Sequence, residues 1–164
     1  IYKVRHRLLG EVRVVKVVGA FDVGKAINPA NIEGQITGGA VMGIGWTLTE
    51  ELLLKEGRIL NDNFRDYRIL RACDVGELVP IIVESHEPTG PFGAKGLGEH
   101  VLIPTAPAIL NAIRHATGAE ITQLPALPHR VLAAIRDLGY DDLLALKPMD
   151  LDQGPQRRLH LIAQ

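Results

Sequence analysis

Glu33-Gly34-Gln35-Ile36-Thr37-Gly38-Gly39-Ala40-Val41-Met42-Gly43-Ile44-Gly45 lies inside the longest helical pattern of this chain, and five of its thirteen residues are glycine. Apolar residues recur at spacings of three to five, at Ile32, Ile36, Val41, Ile44, Leu48 and Leu52. That spacing predicts a helix from Asn31, which can cap it, to about Lys55, closing near Glu56-Gly57. Each interior glycine costs about 1 kcal/mol relative to alanine, roughly 5 kcal/mol if all five are helical. Nothing nearby in the sequence offsets that cost, so the glycines are expected where another segment or a ligand approaches the backbone closely.

Two nucleotide-binding readings of these glycines fail letter by letter. Gly43-Ile44-Gly45 is followed by Trp46-Thr47-Leu48, without the third glycine of a dinucleotide fingerprint. Gly38 to Gly43 has P-loop spacing, but Ile44-Gly45 replaces the Lys-Ser/Thr that would hold phosphate and magnesium.

Before the helix, residues 1–20 alternate and then run apolar through Val12-Arg13-Val14-Val15-Lys16-Val17-Val18, with a break at Leu9-Gly10-Glu11. A hairpin or two adjacent strands is expected there, followed by loop chemistry from Asp22 to Pro29. After the helix come short extended pieces around Arg58-Ile59-Leu60 and Phe64 to Ile69, then a buried strand at Ile81-Ile82-Val83-Glu84-Ser85. Helices are expected from Thr105 to Thr117, ended by Gly118, and from Pro128 to Leu138, ended by Gly139. Ile109, Leu110, Ile113, Val131, Leu132 and Ile135 form their core faces. A short helix at 141–146 and a polar tail complete an α+β fold, a mixed sheet with packed helices. Residues 1–138 read as one region and 139–164 as a tail.

The chain has 164 residues and is 46% apolar, enough to bury a core. Its 18 Lys and Arg balance 19 Asp and Glu, so there is no electrostatic footprint for nucleic acid. A single cysteine, Cys73, excludes an internal disulfide and any four-thiolate iron–sulfur or zinc site made by this chain alone. No apolar run reaches the roughly 20 residues of a membrane span. The first residues, Ile1-Tyr2-Lys3-Val4-Arg5, carry neither an initiator methionine nor signal-peptide features, so the sequence reads as part of a larger protein, taken as cytoplasmic. The 17 glycines and 10 prolines exceed the usual combined share of about 12%.

The second glycine concentration is Gly90-Pro91-Phe92-Gly93-Ala94-Lys95-Gly96-Leu97-Gly98-Glu99, a constrained loop of the kind that carries binding residues on a rigid scaffold. Glu99 stands between a glycine turn and the apolar run Val101-Leu102-Ile103. Partial desolvation there would raise its pKa toward that of a general base, whereas the plain structural reading makes it the cap of the next helix. Gln35 reads either as a helix-surface residue or as an amide offered to a ligand. Lys95 reads as an anion contact or as surface. The six histidines form no close pair of metal-ligating type, His115 and His129 reading as helix surface. The carboxylates of Glu50, Glu51, Asp141 and Asp142 read as solvated.

Taken together, Asp22-Val23-Gly24 with Ile27-Asn28-Pro29, Glu33-Gly34-Gln35 with Gly38-Gly39 and Gly43, Glu50-Glu51, the Gly90 to Glu99 loop, and Ala106-Pro107-Ala108-Ile109 with Asn111-Ala112-Ile113 resemble a known family. This is the C-terminal part of the molybdenum-binding subunit of the xanthine dehydrogenase and aldehyde oxidase family. The likeness runs in order from about residue 11 to 138. It implies that Glu99 is the catalytic base, taking a proton from the hydroxide that attacks an electrophilic substrate carbon. It implies that Gln35, Lys95 and Gly96 bind the molybdopterin cofactor with its molybdenum, as the cytosine dinucleotide, and that no side chain of this chain ligates the metal. Iron–sulfur clusters and FAD would reside on partner chains, and the remaining part of the molybdenum subunit would complete the site for a small-molecule substrate, an aldehyde, purine or N-heterocycle. A reductive relative acting on an aromatic thioester and a non-catalytic scaffold fragment share the same motifs.

Overall fold

The computed structural model describes residues 2–5, 10–138 and 162–163. The elements in chain order are β1 (Tyr2–Arg5), β2 (Glu11–Val14), β3 (Lys16–Asp22), α1 (Pro29–Leu48), β4 (Leu54–Lys55), β5 (Arg58–Ile59), β6 (Glu77–Val83), α2 (Thr105–Thr117), α3 (Pro128–Arg136) and β7 (Ile162–Ala163). The helix expected at 141–146 falls outside the described residues.

β1 and β2 form the antiparallel pair expected at the start of the chain, Tyr2 opposite Val14. The element that organises the site is different. β3 pairs in parallel with β6 along seven residues, from Lys16 opposite Glu77 to Asp22 opposite Val83, and with β7 on its other side. A parallel pair needs a long crossover, and here it includes α1. Both strands therefore end on the same edge, and the loops that leave them emerge side by side.

β6 starts at Glu77, four residues before the strand expected at Ile81, and it is not the buried strand that its composition suggested. Ile81 and Val83 are 43% and 42% exposed, because the helices cover only one face of the sheet. On that face α1, α2 and α3 close a core of Ile44 and Leu48, Ile109 and Ile113, Val131 and Ile135, with Val14 from β2. Of the positions read from α2 and α3, Ile109, Ile113, Val131 and Ile135 are buried, whereas Leu110 and Leu132 are only half-buried. Gly118 ends α2 in the left-handed conformation, as its place after Thr117 predicts.

α1 departs from expectation at both ends. Asn28, not Asn31, caps it, its side chain accepting the Asn31 N–H at 3.1 Å, with Pro29 at the first helical position. The helix stops at Leu48 rather than near Lys55, because the residues beyond it have partners elsewhere in the chain. Tyr67 donates its hydroxyl to Glu50 at 2.7 Å, Arg130 pairs with Glu51, and the Asn61 amide bonds the Glu51 carbonyl and the Leu53 N–H. Glu50 and Glu51 are therefore not the solvated pair that neighbouring carboxylates suggested. Glu56-Gly57 is the turn of a β4–β5 hairpin instead of a helix end, with φ of 50° and 77° at its two residues.

Four of the five glycines of α1 divide into two sets, while at the fifth, Gly45, a Cβ would meet the flexible Glu50 carboxylate. A Cβ on Gly39 or Gly43 would meet Val101 or Thr105 at 2.8 and 2.5 Å, so these positions let the start of the second helical layer press onto the α1 backbone. Around Gly34 and Gly38 there is nothing within 4 Å. Packing within the described residues accounts for the first set only.

Candidate active site

Asp22 and Val83 are the last residues of the parallel pair, and ligands of open parallel sheets bind beyond such carboxyl ends. The two loops that leave there are stitched to each other. Gly24 and Ala94 form an antiparallel bridge, the Lys25 N–H donates to the Gly93 carbonyl at 2.7 Å, and the Lys95 N–H donates to the Val23 carbonyl at 2.8 Å. Ala26 donates its N–H to Glu84 at 2.7 Å, and the Lys25 ammonium lies 3.2 Å from the same carboxylate.

At the centre of this junction is Asp22. Its carboxylate accepts hydrogen bonds from the Gly24 N–H at 2.9 Å, the Ser85 N–H at 3.2 Å, the Ser85 hydroxyl at 2.5 Å and the Lys95 ammonium at 2.5 Å. The Lys95 ammonium also donates to the Ser85 hydroxyl oxygen at 3.0 Å. The Lys95 ammonium, first, and then the Ser85 hydroxyl hold the Asp22 carboxyl far below the usual carboxylate range.

Beside this junction a cavity of about 270 Å³ is lined by Val23, Asn28, Asn31, Gln35, Lys95 and Leu97 among others. Gln35 and Lys95, from segments sixty residues apart in sequence, thus share one wall. Gly96 is exposed, with open space where a Cβ would stand. Glu99 opens a single 3₁₀ turn, Glu99–Val101. The residues after it anchor that turn: the His100 ring packs edge-on to Phe21 of β3 at 5.8 Å, and Val101 is buried against Gly39 of α1. Glu99 itself is exposed, so the partial desolvation expected of it is not supplied by the described residues. Its apolar followers turn away, Val101 into the helix layer and Ile103 to a surface where it is 67% exposed.

Asp22 and Ser85 were not singled out from the sequence, although Asp22 begins the Asp22-Val23-Gly24 motif. Phe92 was missed as well: it adopts φ of 56° with its side chain 90% exposed, a strained backbone of a kind concentrated at functional sites. His115 and His129 are on helix surfaces, as expected. Among the described residues, no three His, Cys, Asp or Glu side chains converge as metal ligands, and no helix is long and apolar enough to cross a membrane.

Residues 5–76 match the family described as the molybdopterin cofactor-binding domain. The chain is 41% identical over 125 residues to a putative xanthine dehydrogenase molybdenum-binding subunit of Escherichia coli, covering 75% of this chain and 17% of that protein. It is 38% identical over 152 residues to the nicotine 6-hydroxylase large subunit of Paenarthrobacter nicotinovorans, covering 90% of this chain and 17% of that one. The fold matches quinoline 2-oxidoreductase from Pseudomonas putida with a TM-score of 0.71 and 32% identity, over 79% of this chain and 17% of that chain. The chain is thus similar to the molybdenum-binding subunits of xanthine dehydrogenases and related hydroxylases, and it spans about a sixth of the length of these relatives.

The residues present fit a molybdopterin group. The α1 backbone is bare at Gly34 and Gly38, and the cavity beside it offers the amides of Asn28, Asn31 and Gln35, which both donate and accept hydrogen bonds as a pterin edge requires.

Proposed function

We propose that this chain forms one wall of the active site of a molybdenum hydroxylase, which inserts water-derived oxygen into an aldehyde, purine or N-heterocycle. The observation that carries the reading is the shared wall of Gln35 and Lys95 at the carboxyl ends of β3 and β6, with Glu99 on the turn that leaves it. Gln35 would hold the pterin through its amide, and Lys95 and Gly96 would bound it from the loop side. Gly34 and Gly38 admit the group against the helix backbone. When bound, the molybdenum–pterin group takes up the two electrons of the oxidation. Glu99 accepts the proton from the attacking hydroxyl as its oxygen adds to the electrophilic carbon, and its exposure in this chain leaves it free to face that group.

One C–H bond is exchanged for a C–O bond: water supplies the oxygen, and each turnover, R–H + H2O → R–OH + 2 H⁺ + 2 e⁻, releases two electrons and two protons, one of which Glu99 takes first and the other of which passes to solvent. The two electrons leave through iron–sulfur clusters and FAD, which the family resemblance places on partner chains. The pterin is read as its cytosine dinucleotide. N-heterocycles are favoured within the substrate range by the names of two relatives, the nicotine hydroxylase and the quinoline oxidoreductase.

The test is Glu99→Gln in the assembled enzyme. Loss of the base should lower kcat about a thousandfold while molybdenum per subunit stays unchanged. Turnover within a few-fold of the parent enzyme would overturn the assignment. Gln35→Ala should instead lower the molybdenum content of the purified enzyme, and full occupancy would remove Gln35 from the cofactor site.

A further inference from the structure

Lys95 reaches the proposed active site with its charge already committed. Its ammonium lies 2.5 Å from an Asp22 carboxylate oxygen and 3.0 Å from the Ser85 hydroxyl, at the ends of two parallel strands. Its own N–H is bonded to the Val23 carbonyl, so Lys95 is held by backbone and side chain together. The next residues have no comparable support. Among the described residues, no hydrogen bond holds Gly96 or Leu97, no atom lies within 4 Å of a Cβ built on Gly96 or Gly98, and the Gly98 N–H makes only a 3.4 Å bond to His100. The link Gly96-Leu97-Gly98 therefore runs between a fixed Lys95 and the turn anchored by His100 and Val101. A glycine-containing link of three residues defines a path only if both of its ends are fixed.

We propose that Asp22 and Ser85 are positioning residues for Glu99: they clamp the Lys95 ammonium at the strand ends so that the Gly96-Leu97-Gly98 link delivers Glu99 from a fixed point. The inference rests on the reading of Glu99 as the base. It assigns Lys95 a task different from a direct ionic contact with the cofactor. The lysine carries no unneutralised charge toward the cavity, and it meets a ligand there through its stem and its peptide. Ser85 completes the clamp by donating to Asp22 while accepting from Lys95, which fills the gap between the two strand ends.

The experiment compares Asp22→Asn, Asp22→Glu and Ser85→Ala in the assembled, cofactor-loaded enzyme. Its readouts are deuterium exchange at the Lys25 and Lys95 amides, which bridge the two loops, molybdenum per subunit, and kcat and KM separately. Asp22→Asn should speed exchange at both amides by about tenfold or more, as expected for local opening of a junction. It should lower kcat by roughly 10- to 100-fold, the cost of a misplaced catalytic group, with KM and molybdenum within about twofold of the parent. Asp22→Glu should recover most of both effects, and Ser85→Ala should show the same pattern at smaller amplitude.

Unchanged exchange overturns the clamp, as does faster exchange with an unaltered kcat. Loss of molybdenum, or faster exchange in α3 as well, would mark a general loss of structure and would also overturn it. If Asp22→Asn does not assemble, Ser85→Ala decides by the same criteria. Glu99→Gln run in parallel separates the two readings. Turnover that survives in Glu99→Gln removes the base, whereas turnover lost there but intact in Asp22→Asn and Ser85→Ala removes only the positioning role.

Discussion

A Cβ on Gly39 would lie 2.8 Å from the Cβ of Val101, so helix α1 and the turn that begins at Glu99 touch with no room for a methyl group between them. The candidate base is in this way registered against the helix that carries Gln35. Gly39→Ala should destabilise the subunit by about 1–2 kcal/mol, the overpacking cost exceeding what alanine gains in helix propensity. Gly34→Ala and Gly38→Ala meet open space, and each should stabilise the subunit by up to about 1 kcal/mol. If these two positions admit the pterin, the same substitutions lower molybdenum retention. Thermal unfolding beside metal analysis checks the pair of effects, and a stabilised Gly34→Ala that keeps its full molybdenum would remove the cradle.

These two sets of glycines also mark what could be read from the sequence. The excess at 34–45 was legible as a demand for close approach, but not its division between the chain's own packing and an outside group, because Val101 and Thr105 lie some sixty residues further on. α2 was legible to the residue, since its apolar period and Gly118 are local signals. The end of α1 was not, because Tyr67, Asn61 and Arg130 stop it from a distance while the apolar period continues to Leu52. The parallel pairing of β3 with β6 left no local trace. Without that pairing, Asp22 and Ser85 could not be brought together with Lys95, so the junction that supports the site was visible only in three dimensions.

The site loops should loosen in acid in a defined order. Glu84 is held below the usual carboxylate range by the Ala26 N–H and then by Lys25, and Glu87 by the Thr89 hydroxyl and then its N–H. Asp22 is shifted further, chiefly by Lys95. A carboxylate with a lowered folded pKa stabilises the folded state fully above its unfolded value of about 4, and that contribution disappears as pH falls through the folded value. Amide protection in segment 84–95, the exchange rate relative to its intrinsic value at each pH, should therefore be flat from neutrality to about pH 5. Below about pH 4 the loop bonds of Glu84 and Glu87 should weaken first, and the Asp22 junction last. Loosening on the alkaline side of pH 5 would contradict these shifts.

Phe92 offers a test of stored backbone strain. It holds φ of 56° while its side chain is 90% exposed, so the ring returns little packing for the conformation. Phe92→Gly should raise stability by about 0.5–1 kcal/mol, because a non-glycine residue in the left-handed region costs roughly 1–2 kcal/mol and glycine gives back part of that in unfolded-state entropy. Phe92→Val, branched at Cβ, should be worse than the parent at the same position. Denaturant midpoints of the three proteins order them, and a destabilised Phe92→Gly would mean that the ring contacts another part of the subunit.

Glu51 and Arg130 tie the chain just beyond α1 to α3, and they do so with side chains only 28% and 19% exposed. Arg130 also donates to the Pro125 carbonyl at 2.9 Å, so one guanidinium fastens both the carboxylate and the approach to α3. Glu51→Gln leaves that guanidinium without its charge partner in a mostly covered place and should cost about 1–2 kcal/mol, less than for a fully buried pair. Arg130→Lys loses the planar fork that serves two acceptors and should cost about 1 kcal/mol. A double-mutant cycle between Glu51→Gln and Arg130→Lys should return a coupling of about 1 kcal/mol, and amide exchange should quicken in Val131 to Ile135 before it quickens at Lys95. Additive effects would mean that the two side chains act independently, and that α3 is held in place by the apolar contacts of Val131 and Ile135 alone.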